Sequence, residues 1–153
     1  MEITGPIALC LYASIDQMDT NWIVALAEVA PDSRELEFSR GFLKASHRAL
    51  DENRSSPWLP YHPHLESDPV VPGKVYEYAI ELSPTSIVLK ACYRLKLSIT
   101  SLDHALSPGQ QLILGTGHMP WHLCSSKTTV HKIYHDSGRP SHILLPIIPL
   151  NKH

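Results

Sequence analysis

Apolar side chains recur at every second position along several stretches of this chain. The alternation is plainest over residues 7–14, 75–82 and 94–99. A period of two is typical of β-strands that bury one face and leave the other face wetter. Further strand candidates are residues 22–29, 36–45, 130–134 and 143–148. Because Pro146 interrupts the last of these, we expect that strand to lie at a sheet edge or to carry a bulge.

A proline-rich connection separates the strand candidates. Five prolines between residues 51 and 72 exclude a helix or a central strand there, so we expect a long extended crossover on the surface. Residues 42–50 fit either a short helix or the end of a strand. Seven or eight short strands and one crossover favour an all-β fold, a two-sheet antiparallel sandwich of jelly-roll type. We expect one domain over residues 1–150 and a short tail over 151–153.

Composition and charge narrow the class of protein. Hydrophobic residues make up 43% of the 153 residues, and the formal net charge is −2. The chain has no basic stripe that would indicate nucleic-acid binding and no apolar run long enough to span a bilayer. Its three cysteines, Cys10, Cys92 and Cys124, form no CxxC motif and are odd in number. We therefore expect a reduced cytoplasmic protein whose cysteines are small buried hydrophobes, and we expect no cofactor.

An ordered set of short motifs resembles a known family. The set is Leu43-Lys44-Ala45-Ser46-His47-Arg48, Ser56-Pro57-Trp58-Leu59-Pro60-Tyr61-His62-Pro63-His64, Val71-Pro72-Gly73-Lys74-Val75-Tyr76-Glu77, Glu81-Leu82-Ser83-Pro84-Thr85-Ser86, Ala91-Cys92-Tyr93-Arg94-Leu95-Lys96-Leu97, Tyr134-His135-Asp136 and Pro140-Ser141-His142-Ile143-Leu144-Leu145-Pro146-Ile147-Ile148-Pro149. In this order it resembles the C-terminal domain of the CocE/NonD hydrolases, a group that includes cocaine-esterase-like and glutaryl-acylase-like enzymes and the X-Pro dipeptidyl-peptidases. The resemblance spans about residues 1–150.

The resemblance implies a fold and a role. It implies a jelly-roll β-sandwich with galactose-binding-like topology that packs against an α/β-hydrolase domain carrying a Ser-Asp-His triad. In such enzymes the sandwich shapes and covers the substrate pocket and is not the catalytic part. Two positions depart from the family pattern: Cys92 stands where glycine is usual, and His104-Ala105-Leu106 replaces an aromatic-Pro-Arg segment. The nucleophile elbow Gly-x-Ser-x-Gly is absent from this sequence.

Several polar residues are candidates for chemistry of their own. Asp103, His104 and His135 are candidates for acid–base catalysis, because imidazole titrates near neutral pH and a carboxylate can fix its tautomer. For His135 the alternative is a structural turn, closed by Asp136 ahead of Gly138.

Other residues are candidates for contact with a ligand or a metal. Polar and aromatic side chains in a loop, together with two tyrosines on one strand face, could line an apolar pocket; these are His118, Trp121, His122, Tyr76 and Tyr78. His62 and His64, two positions apart, could pair on a metal with His135 or Asp136 as a third ligand. The alternative is that this segment locks the crossover with hydrogen bonds, and we expect no metal site.

Two functions remain open at this stage. The first is a non-catalytic accessory domain of a CocE/NonD-type hydrolase, whose partner is the hydrolase domain or a second copy in a homodimer. The second is a stand-alone small protein that binds an apolar metabolite and catalyses a cyclisation, dehydration or isomerisation.

Overall fold

The computed structural model describes residues 1–102 and 127–149, and this part of the chain is built from β-strands. Within these two ranges, nine strands follow one another: β1 (Glu2–Ile15), β2 (Asn21–Val29), β3 (Glu35–Lys44), β4 (Tyr76–Val88), β5 (Arg94–Thr100), β6 (His131–Asp136), β7 (Arg139–Pro140), β8 (His142–Leu144) and β9 (Ile147–Ile148). One turn of 3₁₀ helix covers Ala45–His47. Among these described residues, no helix is long and apolar enough to cross a membrane.

The strands form one curled antiparallel sheet in the order β5-β2-β3-β4-β1-β6-β7, with β8 and β9 also pairing with β1. β3 and β4 share a single register position, Gly41 opposite Leu82. The sheet therefore divides there into two leaves. The Trp22 ring on β2 lies 5.0 Å from the His131 ring on β6, although three strands separate β2 from β6 in the sheet. The two leaves therefore face each other, and the predicted antiparallel β-sandwich is confirmed.

The core lies between the two leaves and follows the alternation seen in the sequence. Alternate residues of β1, β2 and β4 point inward and are buried: Ile7, Leu9, Leu11, Ala13, Trp22, Val24, Leu26, Tyr78, Ile80 and Leu82. Burying a side chain of the Leu or Ile class contributes about 1.5–3 kcal/mol. The interior therefore supplies the main driving force for this fold, and the period of two identifies its members correctly.

Pro146 has the effect expected from the sequence. It splits the predicted strand over residues 143–148 into β8 and β9, which both pair with β1. The Pro146 carbonyl accepts a hydrogen bond from the Thr4 backbone N–H at 3.0 Å. β1 carries a bulge beside this contact, between Gly5 and Ile7. The φ of Gly5 is +135°, and a Cβ there would lie 3.2 Å from the Pro146 Cβ, so glycine suits this crossing.

Residues 42–50, for which the sequence allows a short helix or a strand end, contain the end of a strand followed by a helical turn. β3 continues to Lys44, and the 3₁₀ turn follows at once. The Asp19 carboxylate fixes this turn, because it accepts hydrogen bonds from the Ser46 N–H at 2.9 Å and the Ser46 hydroxyl at 2.7 Å. The 3₁₀ turn thus ends β3 and sends the chain into the crossover.

The crossover contains no regular strand or helix between residues 48 and 75, as the prolines predict; its one β-bridge joins Ser56 and Leu59. Backbone hydrogen bonds fasten its second half to the sandwich, with donors at Asp68, Val70 and Gly73 and distances of 2.7–2.9 Å. Val70 is buried in the core. The crossover is therefore a fixed layer over one end of the fold.

Cys92 occupies the turn between β4 and β5 with a φ of 67°. This is the left-handed region that glycine adopts most easily, so the side chain of Cys92 tolerates the turn geometry at some cost in strain. Cys92 is exposed and Cys10 is half-buried, so the expectation that both are buried hydrophobes is wrong. For Cys92 the reason is its position at the tip of a surface turn.

Candidate functional site

Five of the residues proposed from sequence fall outside the described part of the chain. These are Asp103, His104, His118, Trp121 and His122. The other catalytic and ligand-contact candidates, Tyr76, Tyr78 and His135, lie on two different strands.

Tyr76 and Tyr78 share one face of β4, and their rings lie 6.4 Å apart. Tyr78 has no exposed surface, and burial raises its pKa to about 12, so its hydroxyl stays protonated at neutral pH. The Tyr76 ring lies under the Arg48 guanidinium at 4.2 Å, and its hydroxyl accepts a hydrogen bond from the Val71 N–H at 3.2 Å. Tyr78 is therefore a core residue in this structure, and Tyr76 anchors the crossover.

His135 is exposed at the end of β6, opposite Pro140 on β7. Its neighbour Asp136 accepts hydrogen bonds from the Gly138 N–H at 3.0 Å and the Arg139 guanidinium at 3.0 Å. The arginine holds the pKa of the Asp136 carboxyl below its usual value. The structural alternative given for Asp136, a carboxylate that closes this hairpin, is confirmed.

His62 is a structural crosslink. Its Nδ1 lies 3.0 Å from the carbonyl oxygen of Ala49, and its Nε2 lies 2.7 Å from the carbonyl oxygen of Ala79 on β4. The ring thus links the start of the crossover, at Ala49, to β4 at Ala79. Both ring nitrogens face carbonyl oxygens, so the contacts of His62 in this structure are those of the hydrogen-bonded lock given as the alternative for this segment.

Three imidazole rings, those of His47, His62 and His64, lie close together where the crossover passes the 3₁₀ turn. The His64 ring lies 5.4 Å from that of His47 and 5.9 Å from that of His62. Burial, followed by the repulsion of the two neighbouring rings, lowers the pKa of His64. The φ of His64 is +54°, a strained value for a residue other than glycine. His64 therefore favours its neutral form.

A polar cleft of about 470 Å³ lies between this crossover segment and the β3–β4 junction. Arg40 on its floor is 2% exposed and forms a two-pronged ion pair with Glu37, at 2.6 and 2.8 Å. A buried ion pair with this two-pronged geometry fixes the local arrangement of the two side chains. The sequence alone gave no sign of this pair.

Cys10, Tyr12 and Glu77 form a small polar cluster on the outer face of β1 and β4. The Glu77 carboxylate accepts hydrogen bonds from the Tyr12 hydroxyl at 2.7 Å and the Cys10 thiol at 3.4 Å. Burial and this carboxylate raise the pKa of Cys10 to about 11, and the hydrogen bond raises that of Tyr12 to about 12. Thiolate is the nucleophilic form of cysteine, so Cys10 is not an activated nucleophile.

An apolar groove of about 320 Å³ lies on the surface beside β8, lined by Pro6, Trp58, Leu144, Leu145 and Pro146. Trp58 projects from the crossover and is 56% exposed. We call these five residues the Trp58 groove. The sequence showed Trp58 within a family motif, but it could not show that β8 and the β1 bulge lie next to it.

A second apolar cavity, of about 490 Å³, opens where the two ends of the curled sheet approach each other. Trp22, Ile99 and Leu102 line one side, and His131 and Ile133 line the other. The Thr20 hydroxyl lies 2.9 Å from His131 Nε2, and burial lowers the pKa of His131. Thr100 and Ser101 also line the cavity, so its described part offers mainly apolar surface with two hydroxyl-bearing residues and one imidazole.

Comparison with known proteins assigns the chain to a family. The sequence profile of the X-Pro dipeptidyl-peptidase C-terminal non-catalytic domain matches residues 1–144. The chain belongs to this family. The match confirms the resemblance inferred from the sequence motifs, and it identifies the described β-sandwich as a non-catalytic type of domain.

The relatives of this family member are much longer proteins. Cocaine esterase from Rhodococcus sp. (strain MB1 Bresler) is 28% identical over 150 residues, which are 97% of this chain and 23% of the esterase. Among solved structures, a CocE/NonD family hydrolase from Staphylococcus aureus superposes with a TM-score of 0.83 at 20% identity, over 96% of this chain and 28% of the hydrolase. An aminopeptidase from the marine sediment archaeon Thaumarchaeota archaeon superposes with a TM-score of 0.69 at 19% identity, over 97% of this chain and 24% of that one. The chain thus spans about a quarter of these relatives.

Proposed function

We propose that this chain acts as an accessory domain that packs against an α/β-hydrolase catalytic domain and forms part of the wall of its substrate pocket. One observation carries the proposal. The chain matches a non-catalytic domain family over residues 1–144, while roughly three quarters of the length of the hydrolases that resemble it lies outside the part it matches. The comparisons give no support to the alternative of a small stand-alone enzyme.

The chemistry of the described residues agrees with this role. The half-buried thiol of Cys10 is held in its protonated form, Asp136 is committed to a hairpin, and both nitrogens of His62 face backbone carbonyls. The sequence also lacks the Gly-x-Ser-x-Gly elbow that presents the serine of an α/β-hydrolase. The nucleophile and its base would therefore come from the partner domain.

We also propose that the protein works in the cytoplasm. Cys10 and Cys92 are free thiols in the structure. Free thiols are usual where glutathione and thioredoxin keep cysteines reduced. Localisation of a tagged protein by cell fractionation would test this, and recovery in the secreted fraction would contradict it.

A domain exchange tests the accessory role. This chain would replace the matching 150 residues of the Rhodococcus cocaine esterase, and kcat/KM for p-nitrophenyl acetate would be compared with that of the same esterase without any C-terminal domain. We expect the chimera to hydrolyse the ester clearly faster than the shortened enzyme, with the gain mainly in KM if the domain shapes the pocket. A chimera no better than the shortened enzyme would overturn the proposal.

A further inference from the structure

We propose that the Trp58 groove is the surface on which the hydrolase domain docks. The inference rests on the proposed accessory function and adds to it a location and an anchor residue. The occupant is an apolar side chain or loop of the hydrolase, because the described lining of the groove, Pro6, Trp58, Leu144, Leu145 and Pro146, contains no charged group.

The crossover holds Trp58 in a fixed position. Ser56 and Leu59 exchange two backbone hydrogen bonds across it, at 3.1 and 3.0 Å. Just beyond this turn, the Ser55 hydroxyl accepts a hydrogen bond from the Tyr61 N–H at 2.9 Å. The exposure of the indole is therefore a property of an ordered turn. An ordered, exposed tryptophan beside an apolar depression is typical of a binding hot spot.

The opposite wall of the groove is equally fixed. Leu144 on β8 pairs with Ala8 on β1, and the Pro146 carbonyl is hydrogen-bonded to the Thr4 N–H. Two sequence-distant parts of the chain thus build one preformed concavity of about 320 Å³, which is large enough for one or two apolar side chains of a partner. A preformed site binds without a large ordering cost.

The length of the relatives indicates which partner covers the groove. Each compared hydrolase or peptidase contains a domain like this one as about a quarter of its chain, so the rest of such an enzyme is available to pack on it. Trp58 is 56% exposed in the isolated chain, and covering it would remove a large apolar surface from water. A second copy of this chain is the competing occupant, and the experiment separates the two.

The test compares W58S with V71S in the isolated chain and in the esterase chimera. Val71 is a matched control because it lies on the same crossover, is 57% exposed and does not line the groove. Both variants should fold in the isolated chain, with unchanged circular dichroism. In the chimera, W58S should speed proteolytic separation of the two parts about tenfold or more, V71S should not, and W58F should stay near wild type. Acrylamide should quench Trp58 less in the chimera than in the isolated chain.

The outcomes distinguish this inference from the function on which it rests. If the wild-type chimera gains no activity and is cleaved like two unconnected proteins, the accessory function itself fails. If the wild-type chimera is active and resistant but W58S behaves like V71S, the accessory function stands and this docking surface is wrong. If sedimentation shows the isolated chain as a dimer that W58S dissociates, a second copy fills the groove and the inference is overturned.

Discussion

Two strands approach each other closely where the two leaves of the sandwich join, at Gly41 on β3. A Cβ built on Gly41 would lie 2.2 Å from the carbonyl oxygen of Glu81 and 3.1 Å from Leu82 Cγ. Ordinary contacts of a Cβ begin near 3.4 Å. Because the opposing atom is backbone, G41A must push β3 and β4 apart by about an ångström.

The structure sets the size of the expected effect. Gly41 opposite Leu82 is the single register position between these strands, and two hydrogen bonds flank it: the Ser39 hydroxyl to the Ser83 carbonyl at 2.6 Å, and the Ser83 hydroxyl to the Arg40 carbonyl at 3.2 Å. Overpacking costs about 1–3 kcal/mol, and each weakened hydrogen bond about 1 kcal/mol. Alanine has a lower chain entropy than glycine in the unfolded state, which offsets part of this cost. The expected loss in the free energy of unfolding is about 2–4 kcal/mol.

Urea unfolding followed by circular dichroism measures this loss directly. It corresponds to a fall in melting temperature of roughly 10 °C for a protein of this size. The control is G138A, since a Cβ at Gly138 would meet only the Asp136 carboxylate at an ordinary 3.5 Å. We expect G138A to change stability by less than about 1 kcal/mol. If G41A and G138A unfold at the same urea concentration, the close joint between the leaves does not exist.

Three further predictions concern the histidines and cysteines. H62A should lower the free energy of unfolding by about 1–3 kcal/mol in urea titrations, because the contacts of the ring with the Ala49 and Ala79 carbonyls are lost, whereas exposed H135A should not; equal effects would refute the crosslink. The pKa of His64 lies below the 6.5 of the unfolded imidazole, so the unfolded state binds more protons and stability should fall as the pH drops from about 7 to 5. H64N should flatten that dependence, and an unchanged pH profile in H64N would show that His64 does not cause it. At pH 8 iodoacetamide should alkylate Cys92 well before Cys10, because the pKa of about 11 leaves only about a thousandth of Cys10 as thiolate. Peptide mass mapping measures the order of labelling, and faster labelling of Cys10 would refute the prediction.

Local patterns predicted most of the described strands. The alternation over residues 75–82 became the inward face of β4, which carries Tyr78, and the proline at 146 split the last strand. These features depend on neighbours within a few residues, which a sequence shows directly. The unusual turn at Cys92 is indicated by the family resemblance, which has glycine there, and the structure has a positive φ at this residue.

The functional surfaces could not be predicted in the same way. The Gly41 contact with Glu81 and the meeting of Trp58 with Leu144 join residues 40 and 86 positions apart, and no local pattern encodes such distances. His62 shows the same limit, because its partners Ala49 and Ala79 offer only backbone carbonyls, which every residue type has. A metal pair and a hydrogen-bonded lock therefore fit the sequence equally well, and only the fold shows the contacts that His62 makes.

The crossover connects the stability of this domain to its proposed role. Arg48 stacks on Tyr76 and pairs with Asp68, so the segment that covers the sandwich is held by its charged residues. The same segment presents Trp58 to solvent. Mutations that loosen the crossover should therefore weaken docking as well as folding, and the two effects are separated by substituting Trp58 itself.

The most direct test of the central claim is intact-mass analysis after treatment with a serine-directed fluorophosphonate, applied to the isolated chain and to the esterase chimera. The account predicts no adduct on the isolated chain and a single adduct on the chimera, within its esterase-derived part. A stoichiometric adduct on any serine of the isolated chain would contradict it, because this domain would then carry its own activated nucleophile.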